Sequence, residues 1–251
     1  LPEPVEPAIW LDWEGVIKIL EEAAPLWSPG SANGYHPQTV GFMAGELLRR
    51  QTGKSVGEWL RNLSAEHGFD VYCGMSAAEL ERAAYMPKPP KAPDLGPITE
   101  LKQLAFLKPW SAPGRVDRVD WAGAEIPGSN MHANAAGLAG LVHPLANRGA
   151  WREGERFISQ SALDQLFVER CNGDDLVLPF HLSWAAGLMR NINRHFGPNE
   201  SAFGHAGFGG SCVVIDPQNR LTAAYVMNKM SPSLVGDPRA LSLIDATYCS
   251  L

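Results

Sequence analysis

At Leu176 the chain changes character. Before it, apolar residues recur with helical spacing; after it come short runs rich in β-branched and aromatic residues. Segments 184–190, 210–216 and 221–228 read as strands. The last two flank Pro217-Gln218-Asn219-Arg220, a hairpin-type turn that makes them antiparallel neighbours. Pro238 then opens a closing helix through Tyr248. Upstream, helices are predicted over 12–24, 39–50 (ended by Gly53), 76–85, 133–147 and 161–170. Another follows Ser55, where Glu58 completes a capping box. Helices first, strands later and a terminal helix imply an α+β fold, with helices packed on an antiparallel sheet.

The run Pro87-Lys88-Pro89-Pro90-Lys91-Ala92-Pro93 must be extended, since successive prolines forbid helix. Apolar periodicity resumes at once over 98–107, so this run is expected to be a surface connector within a single domain, 1–251. With 251 residues and 45% hydrophobic content, the chain can bury a full core, which excludes disorder. A net charge of −6 supplies no basic field for phosphate backbones, and nucleic acid is not an expected partner. The longest apolar stretch, 133–146, is broken by Asn134, His143 and Pro144. It falls short of the roughly 20 residues of a membrane span and reads as a buried helix.

Cys73, Cys171, Cys212 and Cys249 form no CxxC pair, and His132, His143 and His181 have no ligand spacing; neither a metal nor a cofactor is expected. Isolated cysteines and the lack of a leader suit a reducing, cytoplasmic setting. The opening Leu1-Pro2-Glu3-Pro4 reads as the middle of a protein.

HExxH, GxGxxG, Walker and GxSxG signatures are all missing, which leaves two loops to carry chemistry. One is Gly34-Tyr35-His36-Pro37, just before a helix. A phenol titrates near 10 and acts as a base only where cations depress that value; the alternative is a tyrosine packed at the start of a helix. The other is Phe203-Gly204-His205-Ala206-Gly207-Phe208-Gly209-Gly210-Ser211, which leads into an apolar strand. So many glycines weaken a strand and are tolerated where a ligand or another backbone must come close, as on an edge strand lining an active site. A glycine-rich turn with a solvated histidine is the competing interpretation. Trp110 and Trp121 flank a Gly/Pro-rich stretch and suit either a pocket wall or core packing. Asp70, Asp216 and Asp245 fall at turns or element ends.

The order of the pieces adds information. Trp27-Ser28-Pro29-Gly30, Gly34-Tyr35-His36, Gly45-Glu46-Leu47-Leu48-Arg49-Arg50 and Gly53-Lys54-Ser55 together resemble the tyrosine-loop segment of serine β-lactamase-like hydrolases, the branch of class C β-lactamases and family VIII carboxylesterases. Pro127-Gly128-Ser129-Asn130-Met131-His132 before an Ala-rich helix, and Phe203-Gly204-His205-Ala206-Gly207, resemble that family's later segments, the second its Lys/His-Thr-Gly strand. The resemblance implies a β-lactamase/transpeptidase-like fold and a serine hydrolase acting on a small-molecule ester or amide. In it, Tyr35 is general base and acid, His205 supports the tyrosine and orients substrate, Phe208 lends its N–H to an oxyanion hole, and Gly207 keeps the strand open.

Three departures qualify what it implies. The family's Ser-x-x-Lys, which carries nucleophile and lysine ahead of the tyrosine, occurs nowhere in this sequence; Thr99-Glu100-Leu101-Lys102 lies after Tyr35. Pro37 replaces the asparagine of Tyr-x-Asn, so no amide is there to hold a β-lactam's acylamino group, which favours small acyl esters. Ala206 replaces the threonine of the strand motif. These 251 residues are expected to be the C-terminal portion of such a domain. They form either part of an esterase whose nucleophile lies elsewhere, or a non-catalytic binding or scaffolding relative.

Overall fold

The computed structural model describes residues 1–152 and 154–251. They fall into two compact units, each assembled from separate stretches of chain. The first unit comprises Leu1–Ala83, Leu95–Ala133 and Asp175–Leu178. It holds α1 (Trp13–Glu22), α2 (Thr39–Thr52), α3 (Val56–His67), β1 (Val71–Tyr72), α4 (Ala77–Glu81), α5 (Glu100–Lys102), α6 (Arg118–Gly123) and β2 (His132–Ala133). Its core gathers Trp10, Val16, Ile17, Phe42 and Ile126, and the partly buried Trp110 and Trp121 pack against them.

Side-chain caps set the helix starts. Asp12 accepts from Gly15 N–H at α1, and Ser55 and Ser76 form complete capping boxes with Glu58 and Glu79 at α3 and α4. Gly53, at φ 71°, ends α2. One prediction shrinks: the helix over 76–85 stops at Glu81. The periodic segment 98–107 forms α5 and then a π-turn at Gln103–Leu107, where Lys108 N–H bonds Gln103 O at 2.9 Å.

The second unit, Ala84–Asp94, Asn134–Asp174 and Pro179–Leu251, holds α7 (Ala135–Ala146), α8 (Gln160–Phe167) and a six-stranded antiparallel sheet. The strands are β3 (Cys171–Asp174), β4 (His181–Trp184), β5 (Met189–Arg190), β6 (Phe203–Ala206), β7 (Cys212–Asp216) and β8 (Leu221–Tyr225), paired in sequence order, with α9 (Pro238–Tyr248) closing the chain. β7 and β8 pair from Cys212↔Tyr225 to Asp216↔Leu221, as the Pro217–Arg220 turn requires. Helix α7 lies on β7 and β8, and Ala146, Ala185, Phe203 and Ile215 form the core beneath it.

Three expectations for this unit need correction. The predicted strand over 184–190 is two strands, because Ala185 N–H bonds Leu188 O at 2.8 Å and Gly187 turns the chain at φ 76°. The helix over 161–170 ends at Phe167, because Arg170 N–H already bonds Trp184 O at 2.7 Å and begins the sheet. The helix over 133–147 starts at Ala135 behind an Asn134 cap. Only Gly137, Pro144 and Ala146 of it are buried, so it is half-buried.

Candidate active site

In the first unit the loop before α2 is held from within. Ser31 bonds Ser28 O through both N–H and Oγ, and Trp27 Nε1 donates to Ala32 O at 3.1 Å. The indole explains Gly34: a Cβ there would stand 2.7 Å from Trp27 Cη2. Asp175, 8% exposed, ties the loop down. Its Oδ1 accepts from the N–H groups of Tyr35 (3.0 Å), Val177 (2.9 Å) and Leu178 (2.8 Å), while its Oδ2 accepts from Asn33 Nδ2 at 3.1 Å. Leu176 N–H completes the tie to Asn33 O at 2.9 Å.

Tyr35 is partly buried beside this carboxylate. Burial first, and then the charge of Asp175, push its hydroxyl above the ordinary phenol value. A proton-abstracting tyrosine needs the opposite shift, which a nearby cation would have to supply. Burial also lowers the neighbouring His36, with Asp175 opposing, and His36 Nδ1 lies 2.9 Å from Thr39 Oγ1 at the start of α2. The Pro127–Asn130 loop joins the tyrosine loop. A Cβ on Gly41 would meet Gly128 N at 2.4 Å, and one on Gly128 would meet Pro37 O at 2.7 Å. Asn130, fully buried, fixes that loop by accepting from Ile126 N–H and donating to Trp121 O and Ala124 O.

In the second unit, His205 sits on β6 opposite Val213 of β7. β6 is an interior strand and not the expected edge, because β5 pairs with Phe203 and Gly204. That pairing stops before His205 and Ala206, so the open flank of β6 is confined to the half that carries His205. The His205 ring packs at 5.8 Å from that of Trp184. Burial lowers its pKa, partly offset by a backbone hydrogen bond at Ala206. A lowered value leaves the imidazole neutral at pH 7, able to hydrogen bond without adding positive charge.

Beyond β6 the chain makes a tight glycine loop. Gly207 N–H bonds Ser211 O at 2.8 Å, and Gly210 N–H bonds Gly207 O at 3.1 Å. Gly209 and Gly210 adopt φ 103° and 120°, which L side chains rarely reach. A peptide's C=O and N–H point oppositely across its plane. Holding Gly207 O inside the loop therefore turns the Phe208 N–H outward. A small pocket lies alongside, lined in part by Ala206, Gly207, Ser211, His195 and Asp237.

Among the weaker candidates, His132 Nδ1 pairs with Asn130 O at 2.8 Å and exposed His181 with Asp174 at 2.9 Å. Among the described residues no group of three His, Cys, Asp or Glu is placed to hold a metal. Asp216 is a buried anchor that accepts from Asn199, Asn219 and Tyr248. Asp175 escaped sequence reasoning, because nothing in Asp174-Asp175 distinguishes which carboxylate turns inward.

Helices on an antiparallel sheet, a tyrosine loop leading into a helix and a His-x-Gly strand continuing into a glycine loop define a serine β-lactamase-like, transpeptidase-type protein. The chain belongs to the Beta-lactamase family, whose sequence model matches residues 3–246. A crystal structure of a penicillin-binding protein homolog from Caulobacter crescentus superposes with a TM-score of 0.95 at 43% identity, and that of a family VIII carboxylesterase with 0.88 at 35%. Each match covers 100% of this chain and 67% of the other. Among curated proteins, the esterase/beta-lactamase LipL of Mycobacterium tuberculosis is 28% identical over 238 residues, 86% of this chain and 54% of LipL. The chain thus spans about half the length of that relative.

Proposed function

We propose that residues 1–251 act as one β-lactamase-related domain, the C-terminal portion of an esterase-type serine hydrolase for small acyl esters. In this reading Tyr35 moves the proton, His205 orients substrate by hydrogen bonding, the Phe208 N–H stabilises the oxyanion, and Gly207 leaves room for the acyl group. The carrying observation is the glycine loop, which turns the Phe208 N–H outward from a half-open strand. Such a donor is worth roughly 2.7–4 kcal/mol in acyl transfer. Pro37 in place of an amide side chain supports ester over β-lactam. The raised pKa of Tyr35 runs against proton abstraction, so this reading calls for a lysine partner from a Ser-x-x-Lys segment that this sequence does not contain.

The test is to read the gene upstream of the Leu1 codon and express the whole encoded protein. We expect Ser-x-x-Lys there, fluorophosphonate labelling of its serine, and hydrolysis of p-nitrophenyl acetate and butyrate. Tyr35→Phe is expected to reduce that hydrolysis by about 10²–10⁴. A gene without the motif, whose product turns over no ester, would favour a binding or scaffolding protein.

A further inference from the structure

We propose that Arg239, locked by Asp237, is a positioning residue that sets the direction of the Phe208 N–H through the glycine loop; the inference rests on the esterase reading. Asp237 is 3% exposed and caps α9 by accepting from Arg239 N–H at 2.9 Å. Its carboxylate also takes Arg239 Nε (2.9 Å) and Nη2 (2.8 Å) as a fork, and accepts from Ser231 Oγ. The guanidinium, fixed in this way, gives two further donors to carbonyls: Nη2 to Gly209 O at 3.0 Å and Nη1 to Lys229 O at 2.8 Å.

Gly209 is thereby held on both sides. Its carbonyl accepts from Arg239 and from Ser231 N–H (2.9 Å), and its own N–H bonds Ser233 O at 3.1 Å. Gly210 is pressed against the same pair, so closely that a Cβ there would stand 2.5 Å from Asp237 Oδ2 and 2.8 Å from Arg239 Nη2. The Gly209–Gly210 peptide thus has one orientation, and the Gly210 N–H that follows is aimed at Gly207 O. Gly207 O belongs to the peptide whose other end is the Phe208 N–H. Three rigid steps therefore connect a charged fork on α9 to the proposed oxyanion donor. Without the fork, Gly209 and Gly210 regain the backbone freedom that glycine has more of than any other residue, and the donor loses its fixed direction.

Two measurements on Arg239→Met and Arg239→Lys decide the matter. Amide exchange on this chain, followed residue by residue by NMR, is expected to accelerate at Gly209 and Gly210 by about tenfold or more in Arg239→Met, while Val213 and Ile215 of β7 keep their protection. Ester hydrolysis by the whole encoded protein is expected to lose kcat by about 10- to 100-fold with KM within about twofold, the pattern of a contact that matters in the transition state. Arg239→Lys keeps a charge beside Asp237 but cannot reach both carbonyls, and should fall between wild type and Arg239→Met in both measurements. The proposal is overturned by unchanged exchange at Gly209 and Gly210, by exchange that rises equally in β7, or by local loosening without a fall in kcat. If the wild-type protein hydrolyses no ester, the esterase reading fails and takes the catalytic half of the proposal with it. The exchange pattern still decides whether Arg239 orders the loop.

Discussion

Tyr35 is set against the role proposed for it, because the loop that presents it is tied down by a buried carboxylate whose charge, added to burial, keeps the phenol protonated. Asp175→Asn preserves most of the shape and removes the charge, so the phenolate step that disappears in Tyr35→Phe should move to lower pH. It should stay above the ordinary phenol value, because burial is the larger cause. Alkaline titration by ultraviolet absorbance checks this, and an unmoved step would show that Asp175 acts on Tyr35 through the backbone alone. A second expectation concerns coupling. If Tyr35 and His205 serve one ester, Tyr35→Phe and His205→Ala should be non-additive in kcat/KM, the double variant losing little more than the worse single one. Fully additive losses would argue for separate roles.

At the scale of elements, α2 rests on Glu46. Burial alone would raise this carboxyl, but hydrogen bonds from Trp13 Nε1, Arg49 and Arg50 prevail and hold its pKa at about 2. A depressed carboxylate stabilises the fold above its unfolded-state value of about 4.3 and loses that contribution as pH falls towards its folded value. Both arginines are more than a third exposed, so the interaction is discounted for solvent screening. Glu46→Gln should cost roughly 1–2 kcal/mol at pH 7, and the gap to wild type in urea unfolding should narrow as pH drops from about 5 to 3. Strand β6 makes a steric counterpart. A Cβ on Gly204 would stand 2.3 Å from Val213 O and 2.5 Å from Phe196 Cδ1, so Gly204→Ala should destabilise by roughly 1–3 kcal/mol, read as a lower denaturation midpoint.

For the whole molecule, the sequence without Ser-x-x-Lys makes a direct prediction. The isolated 251-residue chain should hydrolyse p-nitrophenyl butyrate no faster than its Tyr35→Phe variant, since loss of a nucleophile costs about 10⁶ in rate. Robust turnover abolished by Tyr35→Phe would reveal a different nucleophile. The features legible in the residues themselves are those that short-range chemistry decides. Ser55 with Glu58 and the Pro217–Arg220 turn satisfy their hydrogen bonds within a few residues, and α9 runs from Pro238 to Tyr248 as its pattern predicts. The β-branched runs after Leu176 likewise announce an antiparallel sheet, because side-chain period and turn chemistry are local properties. The pairing of Val71 with Ala133, the interior place of β6, the inward turn of Asp175 and the reach of Arg239 to Gly209 were not legible. Each depends on which distant backbone comes within hydrogen-bonding distance, and residue type carries no record of that. Sequence alone therefore determined the capped helices, the β7–β8 hairpin, the closing helix and the chemical groups at hand. Only the tertiary structure decided which carboxylate faces the tyrosine and which guanidinium holds the glycine loop, because burial and charge act through space and not along the chain.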